Sequence, residues 1–207
     1  MWDQAATKLQ AGPHGLDPAL VAQVQRERLL EAMTEVVAEL GYQEVTVAKV
    51  LARARISKIT FYDLFDNKEQ CFLAAYEEAL AQAFERIERA CDAEAAAPPE
   101  QRLEAASDAL LDFLAEEPHV ARLCVVEILA AGPAGRERRA VTMDRFALMM
   151  ERLLSEIRPD EALTPIAVRA LIGGAEEVIF GAVERGQTTE LPQMAPDVAR
   201  TLKLLIG

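Results

Sequence analysis

Four cations and no acid lie between Val45 and Tyr62. Lys49, Arg53, Arg55 and Lys58 give this stretch a net charge of +4 in a chain of 207 residues whose total is −12. Phosphate attraction is the chemistry that such a local inversion serves, because cations that neutralise phosphates release condensed counterions. Between and after these cations stand Ser57, Thr60 and Tyr62, whose polar groups can hold phosphate oxygens or read base edges. Ile59 offers the kind of apolar contact that a thymine methyl accepts. The parts that catalysis needs are missing. The chain has two histidines, His14 and His119, no His/Cys/Asp/Glu grouping at metal-ligand spacing, no Gly-x-Ser-x-Gly elbow and no Gly-rich phosphate loop. The expectation is a protein that is not an enzyme, with no metal and no cofactor.

The basic stretch needs a rigid mount, and its own residues describe one. Thr46 can cap a short helix whose apolar positions Val47, Val50, Leu51 and Ala54 face inward. Ser57 can cap a second, in which Ile56, Phe61, Leu64 and Phe65 anchor one side while Lys58, Ile59, Thr60 and Tyr62 stay available on the other. Two short helices joined by a tight turn form a helix-turn-helix. Before it, Asp17-Pro18 signals the start of a first helix, along which Leu29, Met33, Val36, Val37 and Leu40 form a stripe that stops at Gly41. After it, Asn67 and Gln70 make a capping box for a long fourth helix carrying Phe72, Tyr76, Leu80, Phe84 and Ile87 at spacings of three to four.

The combination Gly41-Tyr42, Thr46-Val47-Ala48, Ile56-Ser57-Lys58, Thr60-Phe61-Tyr62, Phe65 and Asn67-Lys68-Glu69 closely resembles the DNA-binding domain of TetR-family bacterial transcription regulators, over roughly Gln25 to Glu78. The resemblance implies a three-helix reading head, a fourth helix linking it to a ligand-binding helical body, and a homodimer as working unit. It implies that Lys58, Thr60 and Tyr62 contact bases and phosphates and that Lys68, at the start of the fourth helix, holds a phosphate. Thr46, Val47 and Ala48 would lie close to the DNA backbone or base edges. Arg55 departs from the pattern, because the family usually has Gly in this turn, where a positive φ is easiest without a Cβ.

The rest of the chain reads as helix. Aromatic residues make up 5% of it, Ala, Leu and Glu are abundant, and no strand alternation is visible, so the expected fold is all-α with about nine helices. Pro98-Pro99, Pro118, Gly132-Pro133, Pro159, Thr164-Pro165, Gly186 and Pro196 punctuate the body into helices near 100–115, 118–131, 134–157, 165–185 and 196–206. The expected division is a flexible arm over 1–16, a helix-turn-helix domain over 17–66, and a ligand-binding and dimerisation domain over 67–207. Lys8 leaves a minor-groove role open for the arm, beside plain terminal disorder. No apolar run reaches the roughly 20 residues that span a bilayer and no signal peptide is recognisable, so a cytoplasmic protein without a membrane partner is expected. Cys71, Cys91 and Cys124 are odd in number and widely spaced, which favours reduced core thiols over a disulfide framework. Charge separates along the chain: residues 1–76 hold eight Lys/Arg and ten Asp/Glu, and 77–207 hold fourteen and twenty-four. The acidic body should leave DNA to the head.

Two tasks are expected of that body. Gly174 and Gly181, seven apart and flanked by Ala167, Ala170 and Ala182, invite close approach of another helix, in a partner subunit or within the chain. Val198, Leu202, Leu205 and Ile206 on the last helix would complete a four-helix dimer interface. Phe113, Leu123, Cys124, Ile128, Met143, Phe146, Met150 and Phe180 can line a cavity for a hydrophobic small-molecule effector, or can be simple core. Glu127, Glu176 and Glu177 sit in apolar surroundings and need partners, either an effector or Arg122, Arg145 or Arg169. The function expected is a ligand-responsive homodimeric repressor of a near-palindromic double-stranded operator. The alternative is a helical small-molecule carrier or protein-interaction module, which leaves the basic stretch without a purpose.

Overall fold

Residues that lose little on entering a helix dominate this chain, and the computed structural model is helical throughout the residues it describes, 18–157 and 164–206, with side chains described to Thr201. Helix α1 spans Pro18–Leu40, α2 Val47–Ala54, α3 Lys58–Leu64, α4 Lys68–Ala93 and α5 Pro99–Glu116. Helix α6 (Pro118–Arg122) runs through a π-helical turn, Leu123–Glu127, into α7 (Ile128–Ala130), and is followed by α8 (Gly132–Ile157), α9 (Pro165–Glu184) and α10 (Leu191–Ile206). With α6, the π turn and α7 forming one continuous rod, the described residues make nine rods. The expected arm over 1–16 lies outside the described residues.

The helix starts follow the sequence signals. Thr46 Oγ1 accepts from the Lys49 amide at 3.4 Å, Ser57 Oγ from Thr60 at 3.1 Å, Asn67 Oδ1 from Gln70 at 2.9 Å and Thr164 Oγ1 from Ala167 at 3.2 Å. Each such cap satisfies an amide that would otherwise lack a partner, worth typically about 1 kcal/mol. The capping box is displaced by one residue: Gln70 Oε1 accepts from the Asp66 amide, not from that of Asn67. The last helix also differs from expectation, starting at Leu191 and holding Pro196 inside it. Leu191 and Ala195, four apart and both buried, anchor this first turn. Their packing outweighs the single hydrogen bond that proline forfeits.

One core joins the reading head to the body. Leu29, Met33 and Val37 of α1, Val50 of α2 and Phe61 of α3 are fully buried together with Phe72 of α4 and with Leu123 and Ile128 from the π turn and α7. The core therefore continues across the expected boundary at 66/67. Two further clusters hold the body: one around Leu111, Phe113, Ala182 and Leu191, the other around Leu103, Leu153, Leu154 and Val168. Helix α5 packs against α4, α8 and α10.

At the turn between α2 and α3, Arg55 takes the left-handed conformation with φ 55 and ψ 45, and is the only non-glycine at positive φ among the described residues. The turn has the geometry that a glycine makes without strain, closed by the Ile56 amide on the Leu51 carbonyl at 3.3 Å. An L side chain in this region costs roughly 1–2 kcal/mol. Arg55→Gly is expected to raise stability by about 0.5–1 kcal/mol after the extra backbone entropy of glycine is charged against that relief. Thermal and urea denaturation of the two proteins would check this, and a lower midpoint for the variant would contradict it.

Candidate DNA-reading surface and effector cavity

Helix α3 is held by its buried face. Phe61 is fully buried, with Tyr62 edge-on to it at 5.3 Å between ring centroids and Phe65 at 5.8 Å. Burial of Phe61 turns Lys58, Ile59 and Tyr62 outward, three and four residues apart on one face. Ile59 is 76% exposed, unusual for an isoleucine, and Tyr62 is 47% exposed. Lys58 Nζ lies 5.8 Å from the centre of the Tyr62 ring. Thr60 is half-buried, and its hydroxyl shares a 2.9 Å hydrogen bond with Ser57 Oγ. Its first task is thus to hold the start of the helix. Thr46, Ala48 and Arg55 are exposed beside this face, with Val47 half-buried.

The charge count of the surface needs correction. Arg53 places one guanidinium nitrogen on Glu35 and the other on Glu39, each at 2.7 Å, clasping α2 to α1. The hydrogen bond from Arg53 holds the Glu39 carboxyl below its ordinary range, so this clasp is present above that range and is lost as pH falls through the lowered value. Lys49 Nζ donates to the Glu44 carbonyl at 2.8 Å. Arg55 and Lys58 have no ion pair among the described residues and are the cations most available to phosphate. Arg28, which sequence reasoning passed over, donates to the Ala54 carbonyl at 2.5 Å and closes the end of α2. Lys68 reaches back to the Tyr42 carbonyl at 3.0 Å and lies 4.2 Å from the centre of that ring. Burial there lowers its pKa from the ordinary lysine value.

A cavity of about 150 Å³ lies between α4, α5, α8 and α9, beside the α6–π–α7 rod. Its wall on α8 runs from Arg139 to Leu153, roughly 21 Å along the axis at 1.5 Å per residue. Phe113, Cys124, Met143, Phe146 and Met150 line it as expected from their types, and so do Leu110 and Ile172. Polar contacts gather around Arg139 and Thr142. The Tyr76 hydroxyl donates to Thr142 Oγ1 at 2.9 Å. Arg139 Nε donates to Glu176 Oε1 at 2.9 Å, and a second guanidinium nitrogen pairs with Oε2. Burial pushes the Cys124 thiol up to about 12, which keeps it protonated and unreactive.

Several expected positions fall elsewhere. Leu123 and Ile128 are buried in the core of the head and Glu127 lies outside the cavity, because the π turn sends Cys124 and Val125 to the cavity and Leu123 and Glu127 toward α1. Glu177 is exposed and Phe180 stands off the wall. The wall of α9 is made by Ile172, Ala175, Glu176 and Ile179, and each expected residue is one position on, about 100° around the helix. Of the three arginines considered, Arg122 pairs with Glu127 at 3.1 Å, whereas Arg145 pairs with Glu88 and Arg169 with Asp144. Arg139 takes Glu176 instead. On α9, Ala170 and Gly174 are exposed beside Ile166, which is 81% exposed. Gly181 is covered by the Arg185 guanidinium, 3.0 Å from where a Cβ would stand. Val198 turns inward and lines the cavity, because α10 buries the face carrying Leu191, Ala195 and Ala199. The side chains of Leu202 and Leu205 lie outside those described.

Residues 29–75, which hold α2, α3 and the turn between them, match the sequence model of the bacterial regulatory proteins of the tetR family. That segment is a TetR-family DNA-binding domain. With this domain the chain is a DNA-binding transcriptional regulator, which gives the basic stretch its purpose and sets aside the carrier reading. The fatty acid metabolism regulator protein of Bacillus subtilis (strain 168) is 25% identical over 163 residues, covering 78% of this chain and 81% of that one. In fold, the chain is similar to the fatty acid degradation regulator FadR from Bacillus halodurans, with a TM-score of 0.77 and 21% identity over 88% of this chain and 95% of that one. It is likewise similar to FadR from Bacillus subtilis in complex with stearoyl-CoA, with a TM-score of 0.76 and 23% identity over 87% and 97% of the two chains.

The exposed face of α3 generates a direct test. Tyr62→Ala and Lys58→Ala should each weaken operator binding about tenfold, on the scale of 1–3 kcal/mol for a specific contact, and Lys58→Ala should also lower the salt slope by about one. Fluorescence anisotropy across salt concentrations reads both. Unchanged affinity in both variants would remove this face from the interface.

Proposed function

We propose that the chain is a homodimeric repressor that releases a near-palindromic operator when a long-chain acyl thioester enters the cavity. The observation that carries this reading is the shape and chemistry of the cavity. It is long and apolar along most of its length, its charged groups and most of its polar ones gather at Tyr76, Thr142, Arg139 and Glu176, and Ser107 on the α5 wall spends its hydroxyl on the Leu103 carbonyl. An extended hydrocarbon chain suits such a space, with its one polar group at the polar end. The Arg139–Glu176 pair leaves that end without net charge, which favours a neutral thioester over a free carboxylate. The structure of the Bacillus subtilis relative contains stearoyl-CoA, in agreement with this chemistry.

Dimerisation is assigned to the outer face of α9 with its neighbour α8. Ile166, Ala170, Gly173, Gly174 and Val178 form an exposed stripe, and Val141 and Leu148 add exposed apolar surface on α8. An added Cβ at Gly173 or Gly174 would meet nothing within 4 Å in the same chain, so the stripe is open to close approach by a partner helix. In the dimer, Thr46, Val47, Ala48, Arg55, Ser57, Lys58, Ile59, Thr60, Tyr62 and Lys68 supply the operator contacts. Two α3 helices enter major grooves about one helical turn apart, roughly 34 Å.

Each methylene buried in the cavity contributes about 0.8 kcal/mol. Shortening a saturated acyl-CoA by two carbons should therefore weaken binding roughly tenfold until the chain no longer fills the space. Calorimetric titration of stearoyl-, palmitoyl- and myristoyl-CoA checks this, with free CoA as control. Stearoyl-CoA should also raise the operator dissociation constant at least tenfold, and Met150→Trp should lower stearoyl-CoA affinity by a similar factor. Equal binding of all chain lengths, or of free CoA alone, would refute the acyl reading.

A further inference from the structure

The carboxylate of Glu127 is 6% exposed and belongs to neither the cavity nor the DNA surface. Its Oε2 accepts from the backbone amide of Tyr42 at 2.8 Å, across 85 residues of chain. Its Oε1 meets Arg122 at 3.1 Å. Tyr42 opens the 3₁₀ turn Tyr42–Glu44 between α1 and α2, and Gly41 before it adopts φ +78, with the position of an absent Cβ only 3.6 Å from Glu127 Oε2. Positive φ lets the chain turn there without strain, which leaves the Tyr42 amide facing the carboxylate. On its other side Tyr42 offers its carbonyl to Lys68, the residue at the start of α4. Gln43 adds a second bridge to the same rod, donating to the Ala130 carbonyl at 2.7 Å.

The element that carries Glu127 also walls the cavity. Cys124 and Val125 face the cavity from within the five-residue π turn that ends at Glu127. A π turn is a rare departure from α-helical winding that recurs at functional sites. The Arg122 side is incompletely satisfied, since its buried Nε has no hydrogen-bond partner among the described residues, a cost that the present packing carries and a rearrangement of the turn can relieve.

We propose that Glu127 is the positioning residue through which the cavity sets the DNA-reading head. Occupancy against Cys124 and Val125 repacks the π turn and withdraws the carboxylate from Tyr42. This frees the turn that leads into α2 and the carbonyl that holds Lys68. The proposal rests on the effector-responsive reading above, but its test does not require the effector to be known.

The test is a double-mutant cycle on the full-length protein, with operator affinity as readout. Cys124→Phe puts a permanent side chain into the cavity at the π turn and should weaken operator binding tenfold or more. Glu127→Ala should weaken it to a similar extent, and Glu127→Gln, which keeps an acceptor for the Tyr42 amide, should stay within threefold of the parent. In the Glu127→Ala background Cys124→Phe should add less than threefold. Val125→Phe serves as a second wedge should Cys124→Phe fail to fold, with circular dichroism and sedimentation confirming a folded dimer in each case. Amide exchange at Tyr42 should accelerate in both single variants. Independent losses that multiply in the double variant, or unaltered exchange at Tyr42, would overturn the role of Glu127. Failure of stearoyl-CoA to affect the parent, with the cycle still non-additive, would instead remove the acyl reading and leave Glu127 in place.

Discussion

The fold depends on one apolar core shared between the reading head and the body. Leu29, Met33 and Val37 of α1 close against Phe72 of α4, and Leu123 and Ile128 pack against the same cluster from the other side. Fully burying each such side chain contributes about 1.5–3 kcal/mol, a large share of the roughly 5–15 kcal/mol by which a protein is stable at all. The head is therefore not a separate bead on a linker. Interiors packed to crystal density transmit displacement instead of absorbing it, so a change at α4 or at the α6–π–α7 rod reaches the two short helices that meet DNA.

Polar groups are used sparingly around that core, and each ties two elements together. Arg53 clasps α2 to Glu35 and Glu39 of α1, Arg28 closes the end of α2, and Arg139 joins α8 to Glu176 of α9. These pairings spend cations that a charge count would have assigned to DNA. On the proposed reading, what remains for phosphate is a narrow edge made by Arg55, Lys58 and the start of α4. The acidic total of the chain then acts against non-specific association, and operator recognition depends on a small number of well-placed contacts.

How much of this was legible in sequence follows from the range of the interactions involved. Thr46, Ser57 and Asn67 act within three residues of themselves, so their caps and the helix starts could be read directly. The outward set Lys58, Ile59 and Tyr62 follows from helical period once Phe61 is placed inside. Arg55 stood out in the sequence as a departure from glycine at a tight turn, and the turn keeps its positive φ with Arg55 in place. The Glu127–Tyr42 hydrogen bond joins residues 85 apart, and no local pattern marks it. The π turn was equally hidden: it shifts the helical phase within Leu123–Glu127, which is why Leu123 and Glu127 were expected at a cavity that Cys124 and Val125 line. On α9 an error of one residue put Glu177 and Phe180 where Glu176 and Ile179 stand. Sequence types alone located the cavity to the right helices without fixing the rotation of each.

On the proposed function, filling the cavity and binding the operator are linked equilibria. Linkage is reciprocal: the factor by which an acyl thioester weakens operator binding must equal the factor by which operator weakens binding of the thioester. The direct measurement is the stearoyl-CoA dissociation constant of the free protein against that of the protein saturated with operator. Stearoyl-CoA should bind the operator complex more weakly, by the same factor of at least about ten, within the range of typical couplings. Equal affinity for the two forms would contradict it.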